Sequence, residues 1–134
     1  MNKTLLILAL SVEVLIPACA PAITPAELDR LIPALIQVES GGEYRAIGDG
    51  GKAYGPYQIH ADYLRDGNRL AGTDYSHAEM FDPVKSEKIV RAYLTHYAKG
   101  KGIEAAARIH NGGPSGDKKP ATLKYWNKVR KELK

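Results

Sequence analysis

Cysteine, tryptophan and phenylalanine each occur once in this chain of 134 residues, with Cys19 the only thiol. A lone cysteine can make neither an intrachain disulfide nor a cysteine-based metal site, so stability must come from packing. The four histidines, His60, His77, His96 and His110, show none of the i,i+4 pairing about a glutamate that a zinc-protease helix requires. No metal site is therefore expected. The apolar runs are too short and too interrupted for a spanning helix, and neither an internal repeat nor a low-complexity stretch is found. No basic motif interleaved with aromatics argues for nucleic acid.

What remains is the composition of a globular protein, 44% hydrophobic and 25% charged. The length suits one domain and is too short for two. Residues 1–20 differ from the rest. Lys3 gives a positive start, Thr4 to Leu10 an apolar run, and Ala18-Cys19-Ala20 a small-residue exit, so this segment reads as an export signal ahead of a domain spanning 21–134. Glu13 interrupts the apolar stretch, and a buried N-terminal helix is the alternative. Ile16-Pro17-Ala18-Cys19 also resembles a lipobox, in which Cys19 would carry a lipid anchor; free secretion and lipidation both stay open. The net charge of +4 gathers in Lys118, Lys119, Lys124, Lys128, Arg130, Lys131 and Lys134. Such a run is ordinarily a solvated helix face, with an anionic partner such as a cell wall as the other reading. A monomer is expected.

Thr24-Pro25-Ala26-Glu27 carries the signals of a helix start, with Thr24 as N-cap, Pro25 at the first helical position and Glu27 completing a capping box. Leu28, Leu31, Ile32, Leu35 and Ile36 follow at helical spacing, Gly41-Gly42 stop the helix, and Pro33 predicts a kink or a break. Residues 45–55 read as a β-hairpin turning at Asp49-Gly50-Gly51, and Pro56 is expected to open a helix through Tyr57, Ile59 and Tyr63. Asp82-Pro83 begins an amphipathic helix of Val84, Val90, Tyr93, Leu94 and Tyr97. A shorter helix covers Ile103 to His110, and a last one, Thr122 to Lys131, is expected to bury Leu123, Trp126 and Val129. The fold class is α+β, mainly helical, with a small hairpin.

Glu39 lies four residues after Leu35 and seven after Ile32, so its carboxyl shares the apolar face of the first helix. Desolvation there disfavours the anion, which suits a general acid; a helix-end residue bonded to a neighbouring loop is the plainer reading. Asp49 heads the hairpin turn, and Asp-Gly is a common turn pair that needs no function. Yet a helix-end acid facing a hairpin carboxylate is also what glycoside cleavage needs, one group protonating the leaving oxygen and the other stabilising or attacking the oxocarbenium-like centre.

Three ordered segments bear a resemblance to the lysozyme superfamily: Val38-Glu39-Ser40-Gly41-Gly42, Tyr54-Gly55-Pro56-Tyr57-Gln58-Ile59, and the run from Ala107 through His110-Asn111-Gly112-Gly113-Pro114 to Gly116. The first two are similar to segments of soluble lytic transglycosylases. The Gly-Pro-Tyr-Gln and Arg-Ile-His-Asn-Gly-Gly-Pro segments resemble invertebrate-type lysozymes, the destabilase group, more closely still, and Trp126 extends the match. The resemblance implies a lysozyme-like fold, Glu39 as catalytic acid and Asp49 as second carboxylate. It further implies substrate contacts from Ser40, Tyr54, Tyr57, Gln58, His110 and Asn111 along a peptidoglycan or related amino-sugar glycan. By themselves Tyr57 reads as core, Gln58 as helix surface and His110 as a structural histidine. Two departures stand out: the hairpin spacing is one residue shorter, and the disulfides of the invertebrate enzymes are missing. Expected activities are hydrolysis helped by Asp49, or transglycosylation yielding 1,6-anhydro products, and neither calls for a cofactor. A wall-binding or inhibitory module without chemistry, and an isopeptidase using a serine or lysine with His110, are the rivals from other classes.

Overall fold

The computed structural model describes residues 23–134, so the expected export signal and Cys19 lie outside the described part. Helix α1 spans Pro25–Ser40 and starts as its sequence dictates. Thr24 Oγ1 accepts from the Glu27 amide at 3.2 Å, and the Glu27 carboxylate accepts from the Thr24 amide at 2.8 Å, closing the capping box. The break expected at Pro33 does not occur. Pro33 faces solvent, and the carbonyl left without a helical donor belongs to exposed Asp29, where water can serve it.

Strands β1 (Ile47–Gly48) and β2 (Ala53–Tyr54) pair antiparallel, Ile47 opposite Tyr54 and Gly48 opposite Ala53, around a 3₁₀ turn at Asp49–Gly51. The hairpin is as expected, but the helix expected from Pro56 is not. Tyr54 and Ile59 exchange backbone hydrogen bonds of 3.1 and 2.9 Å, which closes residues 55–58 into a tight loop. Proline's fixed φ serves a turn as readily as a helix start, and this pairing selects the turn. Helix α2 therefore begins later, at Ala61–Ala71, with His60 as its N-cap.

Helix α3 (Pro83–Tyr97) is capped by Asp82, whose carboxylate accepts from the amides of Val84 and Lys85. Its buried stripe runs through Ser86, Ile89, Val90, Tyr93 and Leu94. Val84, expected in that stripe, is 77% exposed, because five residues before Ile89 it points to the other side of the helix. Helices α4 (Ile103–Gly112) and α5 (Leu123–Glu132) complete the domain. In α5 the inward residues are Tyr125 and Val129, four apart; Leu123 is 44% exposed and Trp126 only partly buried. Val129 is thus buried as expected, and Tyr125 takes the inward place expected of Leu123.

Helix α1 packs on α4 and α5, α2 on α3, and the hairpin sits beside the 3₁₀ turn at His77–Phe81. The class is α+β and mainly helical, as expected. Lys124, Lys128, Arg130 and Lys131 stay in water on the outer side of α5. Among the described residues no helix is long and apolar enough to cross a membrane.

Candidate active site

Glu39 occupies the last turn of α1, its side chain 18% exposed. The hydroxyl of Tyr125, from α5, donates to its Oε1 at 2.7 Å. Burial above all, then the adjacent Glu39 charge, pushes the Tyr125 phenol well above its ordinary pKa, so it remains a donor. His110 Nε2 lies 3.5 Å from the same carboxylate oxygen and 3.3 Å from the Tyr57 carbonyl, while its Nδ1 is 3.0 Å from the Tyr63 hydroxyl. A carbonyl can only accept, so Nε2 carries the hydrogen. In the neutral ring Nδ1 then accepts, and Tyr63 is the donor. Burial, followed by Tyr93 and Glu39, raises the Tyr63 pKa and preserves that role. Tyr63 also stacks on Tyr93 with centroids 3.7 Å apart and meets His110 edge-on.

A cavity of about 500 Å³ opens over this group, walled on the helical side by Glu39, Tyr63, Tyr93, His110 and Asn111. Asp49, Ala53, Gln58 and His60 form the facing wall. Asp49 sits at φ 49°, a left-handed conformation that aspartate tolerates better than most residues. Its side chain is 65% exposed, and its carboxylate lies 3.2 Å from His60 Nε2.

Gln58 is left-handed too, at φ 51°, and its side chain explains why. Its Nε2 donates to the carbonyls of Ala46 at 3.1 Å and Gly55 at 3.0 Å, bracing the base of the hairpin. Only Oε1 remains for another partner, and it lies against Gly48, where any Cβ would collide with it.

Of the residues singled out in the sequence, Glu39, Asp49, Gln58, His110 and Asn111 share this cavity. Ser40, Tyr54 and Tyr57 do not line it. The Ser40 hydroxyl is directed at the carbonyls of Pro56 and Ile36, at 3.0 and 3.2 Å, tying the end of α1 to the loop at 55–58. Tyr54 stacks against His77 and Phe81. Tyr57 is 1% exposed, so its ring belongs to the core and only its carbonyl serves the site. Sequence reasoning missed Tyr63, Tyr93, Tyr125 and His60 in the site. For Tyr125 a signal existed, its position four residues before Val129; for His60 there was none. Among the described residues no group of three or more His, Cys, Asp or Glu side chains is placed to hold a metal ion.

A helical domain whose first long helix carries an acid into a cleft faced by a short hairpin has the build of a lysozyme. The chain belongs to the Transglycosylase SLT domain family, which it matches over residues 20–133. It is similar to the crystal structure of Tapes japonica lysozyme, with a TM-score of 0.64 and 30% identity over 84% of this chain and 93% of that one. Among sequences it is 35% identical over 105 residues to the invertebrate-type lysozyme of Ruditapes philippinarum, covering 72% of this chain and 75% of the relative. It is 39% identical over 82 residues to a lysozyme of Magallana gigas, a match spanning 58% of each.

Proposed function

We propose that this domain cleaves the glycan strands of peptidoglycan by hydrolysing the bond between N-acetylmuramic acid and N-acetylglucosamine. Glu39 is the general acid and Asp49 the second carboxylate. The observation that carries this reading is that the two groups, from separate elements, line one cavity. In the reaction Glu39 gives its proton to the leaving glycosidic oxygen. Asp49 stabilises or traps the positive charge that develops at the sugar carbon, and water then supplies the new hydroxyl. His110 and Tyr125 converge on one oxygen of Glu39 and fix its orientation. The family likeness to lysozymes supports the substrate class, and the apolar N-terminal segment supports export to where that substrate lies.

A second reading is lytic transglycosylation, in which the sugar's own 6-hydroxyl attacks and no second carboxylate is needed. It draws on the family match and on the exposure of Asp49 in a glycine-flanked turn. Mass spectrometry of products from purified peptidoglycan separates the two. Ordinary reducing ends, lost in Asp49→Asn, support hydrolysis; 1,6-anhydro ends, made equally well by that variant, overturn it.

A further inference from the structure

The wall of the cleft that carries Asp49 is built on a glycine-rich turn. The residues around it, Gly48-Asp49-Gly50-Gly51, contain three glycines, and Asp49, Gly50 and Gly51 all have positive φ. A carboxylate on such a turn samples many positions unless something outside the turn fixes it. Among the described residues one side chain lies in ion-pair range of it: His60, with Nε2 3.2 Å from Oδ2. His60 itself stands on a firm base. It is the N-cap of α2 at φ −83° and follows Ile59, which is bonded on both sides to Tyr54. Its ring makes no capping bond to α2 and reaches the cavity wall beside Asp49.

From this geometry we infer that His60 is a positioning residue for the reaction: it holds the Asp49 carboxylate over the cleft, toward the sugar carbon that Glu39 activates. The inference rests on the role given to Asp49 above. Neutral His60 with its hydrogen on Nε2 donates to the carboxylate, and protonated His60 adds a charge. The tether links the glycine-flanked turn to the start of a helix and so converts a loop carboxylate into a placed one. Both partners are substantially exposed, so the contact contributes little to overall stability. Its effect belongs to the geometry of the reacting group.

The test is a double-mutant cycle on the full chain with peptidoglycan as substrate, reading kcat, KM and the ratio of reducing to anhydro ends. His60→Ala is expected to lower kcat about two- to fivefold with KM nearly unchanged, on the scale of a solvent-accessible charged contact. His60→Gln, which keeps a nitrogen donor, should recover most of that loss. In the Asp49→Asn background His60→Ala should add nothing further. If His60→Ala is silent, or costs the same with and without the Asp49 carboxylate, the tether is overturned while the catalytic reading stands. If Asp49→Asn alone leaves rate and products unchanged, the reading of Asp49 fails first and the tether with it.

Discussion

Glu39 is oriented by residues distant in the chain, Tyr125 eighty-six positions away and His110 from a different helix. Replacing Glu39 by Gln keeps the shape and removes the transferable proton. Cleavage of peptidoglycan should fall at least about a hundredfold, the usual worth of a general acid, with the melting curve nearly unchanged. Clearing of cell walls at the parental rate would remove Glu39 from its role. Tyr125→Phe is subtler, since the ring stays in the core and only the hydroxyl facing Glu39 is lost. A hydrogen bond to a charged group is worth about 1.5–3 kcal/mol. Activity should therefore drop by roughly ten- to a hundredfold, measured as kcat/KM, if the bond acts in full on the transition state.

At the scale of the element, the hairpin and the loop behind it act as one piece. Gly48 leaves room for Gln58, and Gln58 bonds the carbonyls of Ala46 and Gly55. Gly48→Ala would push Gln58 off that brace. The variant should lose about 1–3 kcal/mol in a denaturant titration, the usual cost of overpacking, and lose activity with it. Gly55→Ala should be worse, since its φ of 79° disfavours a side chain and the added Cβ would strike the Met80 carbonyl.

Helix existence was legible in the chain because caps and stripes are local: Thr24 with Glu27, Asp82 before Pro83, Leu28 through Leu35. The reading failed where a non-local bond decided the outcome. Nothing between Pro56 and Tyr63 announces that Ile59 will pair with Tyr54 instead of entering a helix. The same holds for the site. Glu39, Asp49 and His110 stood out by residue type and motif, but the contact of Asp49 with His60 and the bond of Tyr125 to Glu39 exist only after folding.

For the molecule as a whole, packing and a few ion pairs must supply what disulfides supply elsewhere. With one cysteine in the sequence, thiol reductant should leave the melting temperature unchanged, and a large drop would reveal an intermolecular bridge through Cys19. Acid should matter more. Burial disfavours the Asp117 carboxylate, but Lys101 at 2.8 Å outweighs it and holds the group below its ordinary value of 3.8. A carboxyl whose pKa is lower folded than unfolded stabilises fully above the unfolded value and loses that contribution as pH falls through the folded one. The melting temperature should accordingly decline below about pH 3.8. Asp117→Asn should melt lower at neutral pH and show a flatter acid limb.

The bond from Tyr125 to Glu39 also fixes an order of events. Glu39 lies near the start of the domain and Tyr125 in α5, so the acid gains its partner only when the chain through α5 has been synthesised and that helix has docked on α1. An emerging chain that lacks α5 presents Glu39 without the Tyr125 hydroxyl. The hydroxyl that meets Glu39 is itself a report that α5 is in place.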